Sequence, residues 1–233
     1  MENLGHSASI SALIDRNIER YAVTHKTTLV SRVIRWGPLD VNAEVAERVH
    51  QPPEPHEVFR LEQLPYLAAL CALARHGRVR LFTSFELRME RLRQKGTCPG
   101  YLGLDLLRDV PLYSVRSPVE RSLVIAPTRN RRIGISKDEQ IQFFMSIQHP
   151  RFHRLRRVIG DAHIADTFHL WTAEESGLEA FVTMDKAFWN VATGEKRKIA
   201  SPTSVVTPQE LCQRFNAPPI PIENVAAETR PFS

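Results

Sequence analysis

Four acidic residues stand where an α/β chain can bring carboxylates together: Asp15, Glu90, Asp161 and Asp185. Asp15 closes the apolar run Ile10 to Ile14, and Asp185 follows the run Leu178 to Thr183. Both runs read as buried strands. Glu90 falls in the second turn of the helix expected after a strand at Val79 to Thr83. Asp161 falls in the first turn of a helix expected over Asp161 to Glu175. In a parallel sheet such strand ends and helix starts share one rim. Four carboxylates on that rim repel one another unless a cation sits among them, and hard oxygen ligands suit Mg²⁺ or Mn²⁺. Ions of this kind activate water and stabilise the leaving oxygen in phosphodiester hydrolysis.

Taken singly, each acid has a plainer account. Asp15 reads as a helix cap, Asp161 is favoured by the helix dipole, Asp185 suits a turn, and Glu90 suits a solvated charge near Arg93. Only their joint placement favours chemistry. Two further acids compete for a role. Glu86 lies one helical turn before Glu90, shares its face and is an alternative ligand. Asp166 lies five positions after Asp161, about 140° further round a regular helix. It is an extra acid only if that helix is irregular.

The elements that position these residues are legible from pattern. Asn17 to Ser31 reads as a helix, and Leu61 to Arg75 as a strongly apolar one closed by His76 and Gly77. Ser84 caps a helix running to about Gln94. Val110 to Val115 is a third strand. Ser136 and Glu139 have capping-box spacing and open a helix that stops before Pro150. Ser204 to Thr207 is a last strand, and Pro208 opens a terminal helix. Gln51 to His56, with three prolines, is irregular. The proline-rich stretch 216–233 reads as an extended tail. Alternating strands and helices predict an α/β fold, a parallel sheet covered on both faces.

A basic stretch carries Arg129, Arg131, Arg132, Arg151, Arg154, Arg156 and Arg157, with His149, Phe152 and His153 interleaved. Guanidinium forks suit phosphates, and rings stack on unpaired bases. The plainer account is a solvated basic helix face. The formal net charge of +5 and sequence pI near 9.4 fit a polyanionic partner. Cys71, Cys98 and Cys212 lack metal-ligand spacing, and their odd number argues for a reducing compartment. No basic region followed by an apolar stretch opens the chain, and the longest near-apolar run, Leu64 to Ala74, is too short to span a bilayer. The expectation is a cytoplasmic protein with no membrane partner. Leu64 to Ala74 is either a buried helix or an oligomer interface. Trp171 and Trp189 read as core or partner contacts.

Several of these stretches together resemble the PIN-domain nucleases. Ala12-Leu-Ile-Asp-Arg-Asn-Ile-Glu-Arg-Tyr-Ala22 resembles the family's first motif, an apolar strand followed by Asp-x-Asn. Thr83-Ser-Phe-Glu-Leu-Arg-Met-Glu90 resembles the segment that carries its Glu. Asp161-Ala-His-Ile-Ala-Asp-Thr167 resembles its Asp-x-x-Ile-Ala-x-Thr helix, and Phe181-Val-Thr-Met-Asp-Lys-Ala-Phe188 its strand ending in Thr-x-Asp. Val205 to Leu211 resembles the closing strand and helix. The segment from about 116 to 160 falls outside the common pattern.

The resemblance implies one PIN-like domain over 1–215 with a basic insertion around 116–160. Its fold would be a three-layer α/β/α sandwich on a parallel sheet of about five strands. It implies that Asp15, Glu90, Asp161 and Asp185 ligate Mg²⁺ or Mn²⁺, with Asn17 and Thr183 orienting them. The activity implied is metal-dependent endoribonuclease cleavage of single-stranded or structured RNA. Many members are VapC-like toxins, often dimeric and held inactive by an antitoxin protein. Two other functions compete. A Mg²⁺-dependent phosphohydrolase would need a nucleophilic Asp with its own flanking motif, which Asp15-Arg-Asn17 is not. A weakly catalytic nucleic-acid-binding or regulatory relative would have little reason to keep four mutually repelling acids. On this reading Asp15→Asn and Asp161→Asn each abolish cleavage of an RNA panel and leave the fold intact.

Overall fold

The computed structural model describes residues 9–50, 57–92, 106–119, 121, 136–194 and 199–222. In chain order these form β1 (Ile10–Ile14), α1 (Arg16–Tyr21), β2 (His25–Trp36), β3 (Leu39–His50), α2 (Val58–Arg75), β4 (Val79–Ser84), α3 (Phe85–Leu92) and β5 (Leu112–Val115). Then come α4 (Lys137–Ser146), α5 (Pro150–Ile159), a 3₁₀ turn (Asp161–His163), α6 (Ile164–Glu175), β6 (Ala180–Val182), α7 (Lys186–Thr193), β7 (Ser204–Val206) and α8 (Pro208–Gln213). Five strands make one parallel sheet in the order β5-β4-β1-β6-β7.

Strand alternation divides the interior between the two faces of that sheet. Ala12 and Ile14 of β1, Leu81 of β4 and Val182 of β6 face one core, which α2 and α8 complete with Leu67, Leu70 and Leu211. Leu13, Phe82 and Phe181 face the other, built from Phe144 of α4, Phe152 of α5, Phe168 and Trp171 of α6, and Phe188 of α7. Helices therefore cover both faces of the sheet, as the alternation of elements predicts. α4 and α5 lie within the segment read as an insertion, yet they supply the centre of the second core. Residues 122–130 and 131–135 of that segment, with Arg129, Arg131 and Arg132, lie outside the described residues.

Three regions differ from the sequence reading. The helix expected over Asn17 to Ser31 ends at Tyr21, and the chain continues as β2. β2 and β3 form a second, two-stranded antiparallel sheet. Its tip is Gly37-Pro38, with Gly37 at φ 64°. Positive φ followed by a proline, whose ring holds φ near −65°, has the signs of a type II′ hairpin turn. The beta-branched residues on both sides of that turn, Thr27, Thr28, Val30, Val33 and Ile34 before it and Val41, Val45 and Val49 after it, outweigh the helical preference of the residues that precede them. Next, α5 and α7 fill stretches that had been given no element. α5 presents Phe152, Leu155 and Ile159 to the core, a spacing that fits one helical face.

Finally, the helix expected from Asp161 begins at Ile164. Gly160 sits at φ 100°, ψ 156°, a region essentially restricted to glycine. The backbone leaves α5 there and makes one 3₁₀ turn before α6 starts. That offset changes which acid faces the sheet. Of the tail, Ala217, Ile220 and Ile222 pack against the first core, and Ile220 N–H donates to the Pro65 carbonyl at 3.0 Å. Leu64, Leu67 and Leu70 are buried inside the protein, whereas Val58 and Leu61 in the first turn of the same helix are exposed. Among the described residues no helix is long and apolar enough to cross a membrane.

Phe168 is fully buried, with its ring stacked on Phe144 at 4.5 Å and edge-on to Phe152 and Trp171. Phe168→Ala is expected to cost about 3–5 kcal/mol of stability, read as a fall in the urea midpoint at unchanged m-value.

Candidate metal centre at the carboxyl ends of β1 and β6

The sheet order sets where a site can form. From β1 the chain runs outward to β4 and β5, then crosses to the other side of β1 for β6 and β7. The carboxyl ends of β1 and β6 thus flank the point where strand order reverses, where open α/β sheets have a crevice. Asp15 follows β1, and Thr183 and Asp185 follow β6.

Asp15 is 3% exposed. It caps α1, its Oδ1 accepting from Arg16 N–H at 2.5 Å. Its Oδ2 accepts from the Thr183 hydroxyl at 2.8 Å and from the Asn17 side-chain amide. Asn17 in turn accepts from Met184 N–H at 2.8 Å, and the Thr183 oxygen accepts from Asp185 N–H at 3.0 Å. Asn17 and Thr183 therefore tie the two strand ends together and orient the Asp15 carboxylate. Asp185 caps α7 through Phe188 N–H at 2.9 Å. Helix cap and cluster member are compatible, because each carboxylate oxygen has more than one lone pair.

α6 contributes Asp166, not Asp161. His163, Asp166 and Asp185 place ligand atoms within 4.8 Å of one another, all half-buried. His163 Nδ1 lies 3.4 Å from Asp166 Oδ2. Asp166 also acts electrostatically on Asp15. The Asp161 side chain is 63% exposed and is held by Arg156 through Nε at 2.5 Å and Nη2 at 3.1 Å. That guanidinium holds the Asp161 carboxyl below the usual range. The expected placement of Asp161 in the cluster is thus corrected. The 3₁₀ turn carries Asp161 outward, and Asp166 occupies the first turn of α6 on the side of the sheet.

α3 contributes Glu90. Its Oε1 accepts from the Gln140 amide at 3.1 Å and meets His169 Nε2 at 3.1 Å. Glu86, one turn earlier, is 1% exposed and engaged by Arg121 through Nε at 2.9 Å and Nη2 at 2.6 Å, with Gln140 at 3.2 Å. The two glutamates thus differ in their partners. Glu86 is neutralised by a forked guanidinium, and Glu90 is the one whose charge acts on Asp15.

Four residues of this environment were not singled out from sequence: His163, His169, Gln140 and Arg121. The histidines stand three positions before and after Asp166, a spacing that shares one helical face. That pattern was visible, but only with Asp166 as its centre. Gln140 and Arg121 carry no sequence signal, since they arrive from distant segments.

Burial and neighbouring charge both act on the titratable groups here. Burial first, then the charges of Asp166 and Glu90, push the Asp15 carboxyl from an ordinary 3.8 to about 7, against the opposing pull of His169 and Thr183. Burial lowers the His169 imidazole, but Glu90, Asp15 and Asp166 outweigh it and raise the net value. The hydrogen bond with Asp166 raises His163, with Asp185 adding to it. His169 Nδ1 is buried and meets no hydrogen-bond partner among the described residues.

The basic residues divide. Arg151 is bound to Glu174 at 2.7 and 2.6 Å and to the Ala200 carbonyl, and Arg156 to Asp161. Arg154 and Arg157 are exposed on α5. Phe152 lies in the core and offers no ring to a base, whereas His149 is exposed with one face of its ring stacked on Trp171 at 4.7 Å. Trp171 is buried in the second core, and Trp189 donates to Glu210 at 3.0 Å. Set against protein-family models, curated proteins and solved structures, the chain matches none.

The folded chain keeps a proton on Asp15 that the unfolded chain releases near its ordinary 3.8. Stability of the metal-free protein therefore falls as pH rises from about 4 to about 7, by on the order of 4 kcal/mol for this group. The raised imidazoles act in the same sense, contributing stability that is complete below their ordinary 6.5 and lost as pH rises past their folded values. Denaturation in EDTA at pH 5 and pH 8 should show this loss in the parent chain, and Asp15→Asn should flatten most of it.

Proposed function

We propose that this chain is a PIN-like, divalent-metal-dependent endoribonuclease. The observation that carries the reading is the cluster of His163, Asp166 and Asp185, whose ligand atoms lie within 4.8 Å of one another, beside a buried Asp15 on which the charges of Asp166 and Glu90 act, at the reversal point of the parallel sheet. The donor set fits a hard or borderline cation: carboxylate oxygens with one imidazole at hand. The raised Asp15 carboxyl supports the fit: burial is its first cause, and a bound cation would offset both that burial and the like charges of Asp166 and Glu90.

Asp15, Glu90, Asp166 and Asp185 would hold Mg²⁺ or Mn²⁺, with His163 as a further donor. When bound, the ion supplies Lewis-acid activation of water and charge neutralisation at a phosphodiester. The chain's own residues do the rest. Asn17 and Thr183 hold the Asp15 carboxylate in one orientation. Gln140 and His169 do the same for Glu90, and His169 offsets part of the negative charge. Half-burial of Asp166, Asp185 and His163 leaves the cluster open on one side to a substrate. Arg154 and Arg157 on α5 are exposed cations that suit phosphate contacts. A toxin held in check by an antitoxin is the narrower form of this proposal.

The test is cleavage of structured and single-stranded RNAs with Mn²⁺, Mg²⁺ or EDTA, beside calorimetric titration of metal. Asp166→Asn should lose activity by more than the roughly 10–100-fold that removal of an outer partner costs. Asp161→Asn should retain it. Activity retained in Asp166→Asn and lost in Asp161→Asn would overturn the site. Metal binding with no RNA cleavage, and turnover of a phosphomonoester instead, would favour a phosphohydrolase. Neither binding nor cleavage would favour a regulatory relative.

A further inference from the structure

The hairpin of β2 and β3 presents an apolar face that nothing among the described residues covers. Register settles which residues share that face. Trp36 pairs with Leu39, Ile34 with Val41, Arg32 with Ala43 and Val30 with Val45, and directly opposed residues lie on the same side of a ribbon. Seven of these eight side chains are apolar. Trp36 is 80% exposed, Leu39 66%, Val41 45% and Ile34 40%. The other side is mostly polar, with Arg35 across from Asp40 and Ser31 across from Glu44, and carries a single exposed valine near the tip, Val33 across from Asn42. β2 and β3 pack on each other and on no other element to a comparable extent. An isolated two-stranded ribbon is marginal in water and needs a third layer against its apolar side.

We propose that this layer is the same ribbon of a second copy, packed face to face about a two-fold axis. Charge narrows the choice of occupant. Over His25–His50 the sequence has Lys26, Arg32, Arg35 and Arg48 against Asp40, Glu44 and Glu47, four positive and three negative. A nearly neutral arm whose apolar row holds one charge, Arg32, suits neither a phosphate backbone nor an anionic membrane. A two-fold interface brings a patch onto itself. An apolar row is complementary to itself, whereas a charged row is not.

Area is consistent with a reversible dimer. Trp36, Leu39, Ile34 and Val41 together expose roughly 400–500 Å² per chain, from side-chain areas scaled by their exposure. Face-to-face packing would bury at most about 800–1,000 Å² in total, below the roughly 1,200–2,000 Å² of stable interfaces and in the range of weak, transient ones. The dimer should therefore dissociate on dilution, and raised salt should not weaken it, because no ion pair holds it.

Sedimentation velocity of the full chain over a wide concentration range tests this. The parent chain should pass from monomer to dimer, in low and in high salt alike. Ile34→Glu and Val41→Glu should stay monomeric throughout. Val33→Glu, equally near the tip but on the polar side, should dimerise like the parent. Circular dichroism checks that each variant is folded, and Trp36→Gln provides the same reading if a glutamate variant fails that check. A parent chain that stays monomeric at every concentration overturns the proposal and leaves the face to a different protein. A dimer that survives both glutamate variants, or is lost equally in Val33→Glu, overturns it too.

Discussion

The constraint on which the site depends is the burial of one carboxylate at the end of the central strand. Asp15 follows β1, which has a neighbour on each side, and little water reaches it. A charge in that position is costly unless something compensates it. The surroundings supply hydrogen bonds from Arg16, Asn17 and Thr183, and the His169 imidazole farther out. They also supply two more carboxylates, Glu90 and Asp166, which work against it. Such an arrangement is easy to understand if a cation belongs there and hard to understand as a stabilising device.

Around that carboxylate the fold acts as a clamp. Asn17 and Thr183 bind β1 and β6 together at their carboxyl ends, so the acids that follow the two strands keep a common frame. Gln140 of α4 bridges Glu86 and Glu90, and Arg121 neutralises the first. Both residues come from the part of the chain that the family resemblance leaves out. That region is therefore structural as well as local to the site: its helices fill the second core with Phe144 and Phe152 and hand Glu90 its hydrogen-bond donor.

The hairpin answers to a different constraint. One side of it is mostly apolar, yet that side has no core to face. Elsewhere in the described chain, alternation and burial agree, as in β1, where Ala12 and Ile14 meet one core and Leu13 the other. Exposure of one whole apolar row is the exception, and a partner surface is the physical account that restores agreement.

Sequence alone determined the alternation of strands and helices, because buried runs such as Ile10 to Ile14 and caps such as Ser136 and Thr207 are local signals. It also marked Asp15, Glu90 and Asp185 as rim acids, since each follows such a signal closely. It missed β2 and β3, although Gly37-Pro38 between stretches rich in beta-branched residues was a readable turn, because Asn17 to Ser31 also has helical character. Only the tertiary structure decided between Asp161 and Asp166. The phase of a helix depends on where it starts, and the start was set by the backbone of Gly160 and one 3₁₀ turn, not by periodicity. Likewise only packing could separate Glu86 from Glu90. They share a helical face, and what distinguishes them is a guanidinium from Arg121, 35 residues away in the chain.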